Sequence, residues 1–207
     1  MTLSRANRFF IRFLLLGTVI GAVASSSGPA LVQKMLPAFQ TEIQVLDRSL
    51  RLDSLQLEQE NGERIVRLYT GLEREVTLNG RTFYPNPQGR AVSSTLVGNF
   101  TLPTVLLLTT VFAFPCTTRV ACLLRALLTV PALLVLWAVG IPFVLWAGIW
   151  GLLLDAARST QPSLLRMWSD FVINGGELAL AIAIGLLIAS MRTSPAGYRE
   201  RGEQSCQ

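Results

Sequence analysis

Asp155, Asp170 and Glu177 have the best claim to acid–base chemistry in this sequence, since neighbouring carboxyl groups can divide the roles of general acid and base. No motif ties the three together, and acids near the ends of apolar segments are common. The chain has no histidine, which removes Ser-His-Asp and Cys-His nucleophiles together with histidine-ligated metals and haem. Neither a G-x-x-x-x-G-K-[ST] loop nor a G-x-G-x-x-G turn is present. Cys116 and Cys122 have a C-x5-C spacing with no third or fourth ligand, and Cys206 is next to last, so thiols packed as small apolar residues are expected. The reading is of a protein that is not an enzyme, with no catalytic residues, no metal and no cofactor.

Glu177 stands apart because it is the one charge between Phe171 and Met191, in FVINGGELALAIAIG. An ionisable residue inside such a run suggests proton movement, a helix partner or a substrate contact. The plainer alternative is a side chain that snorkels to the interface or pairs with Arg158 or Arg166. Beside it, Gly175 and Gly176 allow a neighbouring helix to approach, and Asn174 offers a hydrogen bond across that contact.

These residues must be positioned by apolar helices. Hydrophobic residues make up 51% of the 207-residue chain and charged ones only 15%, more apolar than a soluble core requires. No charge occurs from Ala91 to Thr118 or from Ala126 to Leu154. About 20 helical residues cross a hydrocarbon core of roughly 30 Å, so spans are expected near Leu96–Pro115, Leu123–Leu154 and Phe171–Met191. The middle segment is too long for one straight crossing. A kink at Pro131 and Pro142 is one solution, and a re-entrant break at Gly140-Ile141-Pro142 is the other. Leu164, Leu165, Trp168 and Phe171 fall at helical spacing and suggest a short amphipathic helix in the outer interface.

The N-terminal stretch carries Arg5, Arg8 and Arg12 before LLLGTVIGAVA, which fits an uncleaved anchor or a signal peptide ending at Ala22-Val23-Ala24. GPALVQKMLPAF follows, and Pro37 suggests a short helix or an extended arm. From Leu50 the period changes to near alternation, with one slip at Asp53-Ser54. Asn61-Gly62 and Asn79-Gly80 are type I′ turn signals, so a three- or four-stranded antiparallel meander is expected. Residues 41–90 mix seven arginines with eight acids. That balance suits a solvated face, or a docking surface with a strand edge open to augmentation.

The expected architecture is an α-helical integral membrane protein with about four transmembrane helices and a small antiparallel β-rich domain between the first two. Its parts are an anchor (1–28), an extracytoplasmic domain (29–95), a three-helix membrane domain (96–191) and a polar tail (192–207). Arg5, Arg8, Arg12, Arg119, Arg125 and Arg192 are the topology determinants, placing both termini and the 116–125 loop in the cytoplasm of a bacterial inner membrane. The net charge of +5 reflects this placement and not a nucleic-acid surface, since the basic residues form no stripe with aromatics. The lipid bilayer is the expected partner of those arginines.

In layout the chain resembles the exosortase H-associated membrane proteins of bacteria. The resemblance rests on the order of parts and on GNFTLPTVLLLTTVFAFP, TTRVACLLR and FVINGGELALAI. It implies an accessory protein beside an exosortase-like membrane transpeptidase that processes exported proteins bearing a C-terminal sorting signal. The Cys/Arg/His triad of such an enzyme is missing here, because there is no histidine. A small transporter or channel subunit, with Glu177 in the membrane path, is the alternative.

Overall fold

A computed structural model describes residues 5–115, 118–158 and 163–191. Eleven elements follow one another among these residues: α1 (Arg5–Leu46), β1 (Leu50–Glu60), β2 (Glu63–Leu72), β3 (Val76–Leu78), β4 (Arg81–Phe83), β5 (Ala91–Leu96), α2 (Gly98–Ala113), α3 (Arg119–Val139), α4 (Ile141–Ala156), α5 (Leu164–Ile173) and α6 (Gly176–Ser190). The described chain is mostly helical, with a small antiparallel sheet.

Helix α1 is longer than expected, because neither Pro29 nor Pro37 ends it. Each proline removes an i→i−4 bond, at a cost of about 3 kcal/mol in an isolated helix. Burial of Val32, Phe39 and Ile43 along one face of the same region offsets that cost. The first half of α1 instead exposes Phe10, Leu14, Leu15, Val19 and Val23.

The turn signals operate as read. Asn61 and Gly62 have φ of 52° and 86°, and Asn79 and Gly80 have 49° and 76°, the left-handed pairs of type I′ turns. β1 and β2 pair antiparallel with Leu55 opposite Leu68 and Leu57 opposite Val66, and the register shifts between Leu52 and Ser54, at the slip in alternation. The strands do not form a single meander. β3 and β4 make a separate hairpin, and the third strand of the sheet is β5, in the order β1-β2-β5.

Sheet and helices share one core. Val32, Phe39 and Ile43 of α1 meet Leu50, Leu55, Val66 and Leu68 of the sheet and Ile141, Leu145 and Ile149 of α4. A second cluster joins Leu107 and Val111 of α2, Leu136 of α3, and Ala181 and Ile188 of α6. Small residues set the helix spacing there: a Cβ on Gly185 would meet Thr110 Cβ at 2.8 Å.

Two helical stretches are long and apolar enough to cross a membrane, Asn7–Leu46 and Arg119–Ala156, and a third counts if α5 and α6, bent by 77°, are taken as one. α2 is a shorter apolar helix of 16 residues. The long third segment breaks at Gly140, not at the prolines. Pro131 lies within α3, and Pro142 sits in the first turn of α4, where its missing N–H costs nothing. α3 and α4 nonetheless continue as one 38-residue candidate span, without the reversal of a re-entrant loop.

Candidate functional site

The break between α3 and α4 is where the candidate residues gather. Gly140 has φ −82° and ψ −104°, so helical hydrogen bonding lapses around it. Trp168 of α5 donates its indole N–H to Val139 O at 3.2 Å, supplying a donor to the end of α3. Glu177, in the first turn of α6, reaches the other side of the break. It is only 5% exposed, and a Cβ on Gly140 would lie 2.7 Å from its Oε1 and 3.1 Å from Leu136 O. A side chain at 140 would therefore crowd the Glu177 carboxylate and the Leu136 carbonyl.

Glu177 does not pair with Arg166, which binds Asp155 Oδ1 at 3.0 Å. The three acids of the sequence reading are consequently not one centre: Asp155 is held by Arg166, while Glu177 faces Gly140. Among the described residues no group of three acid or thiol side chains is placed to hold a metal.

Asn174 does not bridge helices. Its Nδ2 donates to Asp170 O at 2.7 Å and so caps the end of its own helix, α5. Gly175 follows with φ +89°, turning the chain into α6. Gly176 lies against the Phe171 ring, leaving no room for a Cβ. Asn174, Gly175 and Gly176 thus build the elbow, and together with Met167, Asp170, Phe171 and Ala179 they line an open groove of about 520 Å³. Glu177 is not in that lining.

A second polar centre joins the sheet to α4. Asp47, at the end of α1, accepts the N–H and the hydroxyl of Ser49 on Oδ1, at 2.9 and 2.6 Å. Its Oδ2 accepts the indole N–H groups of Trp146 and Trp150, at 3.0 and 2.7 Å. The two tryptophans are one helical turn apart on α4, so both reach one oxygen. Burial pushes the Asp47 carboxyl up, and the bonds from Ser49, Trp146 and Trp150 outweigh it, leaving the group below its ordinary range. Sequence reasoning missed this clamp; its only signal was a pair of tryptophans four residues apart.

The opposite end of the bundle is basic. Arg125 donates to Phe114 O at 3.2 Å and to Ala189 O at 2.8 Å, capping the ends of α2 and α6. Arg8, Arg12 and Arg119 are exposed, and the rings of Phe9 and Phe114, 4.7 Å apart, tie the start of α1 to this end. The side chain of Arg5, and Arg192 altogether, lie outside the described residues, as do Cys116 and Cys206. Cys122 is disulfide-bonded, which corrects the expectation of a free packed thiol.

No family model, curated protein or solved structure matches the chain.

Proposed function

We propose that this chain is a non-enzymatic accessory protein of a bacterial inner membrane, spanning it about four times and holding its sheet rigidly above the outer surface for a membrane-protein partner. The observation that carries the reading is the shared core. The inner face of the sheet is taken up by the helices, with Leu50, Leu55, Val66 and Leu68 buried on α1 and α4. The candidate spans Asn7–Leu46 of α1 and Arg119–Ala156 of α3–α4, at 40 and 38 residues, measure roughly 60 and 57 Å, about twice the hydrocarbon thickness. Their surplus length is a mount for the sheet.

In this arrangement α2 and the α5–α6 pair complete the four crossings, and α5 lies in the outer interface with Leu164, Met167 and Phe171 exposed. The basic end, with Arg8, Arg12, Arg119 and Arg125, faces the cytoplasm with both termini. One observation pulls against this orientation: a disulfide at Cys122 belongs to an oxidising compartment. An exosortase-like transpeptidase as the partner rests on the family resemblance alone.

Purification of the tagged protein in mild detergent tests the proposal. A stoichiometric membrane protein, cross-linked to the sheet or the bundle, is the expected result, and a lone homo-oligomer overturns it. A small transporter or channel subunit is the second reading, favoured by a buried Glu177 at a helix break. Glu177→Gln with unchanged flux of every ion and solute tested would remove it.

A further inference from the structure

Under the β3–β4 hairpin, at the distal end of the sheet, lies a half-open cavity of about 260 Å³. Its walls are Leu50, Leu72, Phe83, Ala91, Ile149 and Leu153, with Arg90 at the rim. Two polar side chains of the lining are engaged within the protein, and a third, Tyr84, is exposed. Thr70 Oγ1 donates to Arg51 O at 2.8 Å, and Asn86 Oδ1 accepts from Gln88 N at 2.9 Å. What the cavity offers a ligand is mostly apolar contact, with one phenol, Tyr84, and one charge.

That charge comes from an imbalance around Asp53. Arg51 Nε binds Asp53 Oδ1 at 2.9 Å, and its Nη2 donates to Pro87 O at 3.4 Å, which ties the 84–89 loop to β1 beside the cavity. Arg90 Nε stands 3.8 Å from Asp53 Oδ2 and is 69% exposed. Two guanidinium groups thus share one carboxylate, and the looser of them, Arg90, is available to an anion.

We infer that this cavity binds a single-chain aliphatic carboxylic acid, with the chain among Leu72, Phe83 and Leu153 and the carboxylate on Arg90. The volume takes close to nine groups of water size at about 30 Å³ each, enough for one medium chain and too little for a two-chain lipid. Ile149 and Leu153 stand roughly 13 and 20 Å along α4 from the break at Gly140. The bound chain is therefore held clear of the span region, as a molecule taken out of the bilayer.

The test uses the full-length protein in phospholipid nanodiscs, photolabelled in parallel with a diazirine-bearing decanoic acid and the matching decylamine. Labelled peptides are mapped by mass spectrometry, and labelling of α6 by bilayer-dissolved probe is the internal reference. Relative to that reference, the acid is expected to label the peptides of Leu72, Phe83 and Leu153 about fivefold more than the amine, the scale of one exposed ion pair. Arg90→Glu, at an exposed position, should abolish the preference with α6 labelling unchanged, and Leu153→Trp should exclude both probes. Equal labelling by acid and amine, a preference that survives Arg90→Glu, or labelling confined to the spans overturns the inference. None of these outcomes depends on whether a protein partner copurifies.

Discussion

Replacing Asp47 by alanine removes one carboxylate and strands two indole N–H groups of α4, which makes it the sharpest probe of how the sheet is mounted. Four hydrogen bonds end on this side chain. Bonds to a charged group contribute about 1.5–3 kcal/mol each where the partner is withdrawn from water, and those to Ser49 are recovered largely by solvent. The two indole bonds set the scale, so Asp47→Ala should destabilise by about 3–6 kcal/mol. Trp150→Phe keeps an aromatic ring, although a smaller one, and loses one donor, and a cycle with Asp47→Ala should show coupling of roughly 1–2 kcal/mol. Equilibrium unfolding in mixed micelles, followed by far-UV circular dichroism, reads both quantities. The Asp47 carboxyl is held below its unfolded value near pH 3.9, so its contribution is complete above that pH and is lost as pH falls through the lower folded value. The gap between parent and variant should therefore be flat from pH 5 to 8 and close below about pH 4. An Asp47→Ala protein within about 0.5 kcal/mol of the parent, or a gap that widens on acidification, refutes the clamp.

Gly140→Ala would drive a methyl group into Glu177 Oε1 and Leu136 O, and should cost about 1–3 kcal/mol; Gly140→Ala with Glu177→Ala should recover part of it in the same unfolding assay. Arg125→Leu leaves the carbonyls of Phe114 and Ala189 without this donor, and should destabilise by about 1.5–3 kcal/mol while accelerating hydrogen exchange at the ends of α2 and α6. Cys122 of the native protein, extracted under acid quench, should resist maleimide until a reductant is added, as its disulfide requires, and immediate reaction would show the thiol reduced, as in the cytoplasm.

What could be read from the sequence was local. The Asn-Gly pairs dictate left-handed turns through their own backbone preferences, and the slip at Asp53-Ser54 disturbs alternation within a single strand. β5 escaped notice because its pattern is inverted. Ser93 and Thr95 face inward while Val92 and Leu96 are exposed, since small side chains let α4 approach the strand at Gly148. The continuity of α1 was hidden because proline signals describe an isolated helix, and the compensating burial of Phe39 and Ile43 involves distant residues. Asp47 and its two indole partners lie 99 and 103 residues apart, and only tertiary structure brings them together. Glu177 stood out in the sequence as the one charge of its run, whereas the surface it faces, the break at Gly140, was a matter of packing.

In the proposed arrangement the sheet stands outside a membrane crossed by the helices that carry it, with the arginine-rich end inside. Single cysteines at Gln56 on β1 and at Arg119 at the start of α3, in a cysteine-free background, test it with a membrane-impermeant maleimide on spheroplasts; both positions are exposed. Labelling is expected at position 56 in intact spheroplasts and at position 119 only after lysis. Labelling of both before lysis, or of position 119 alone, contradicts it.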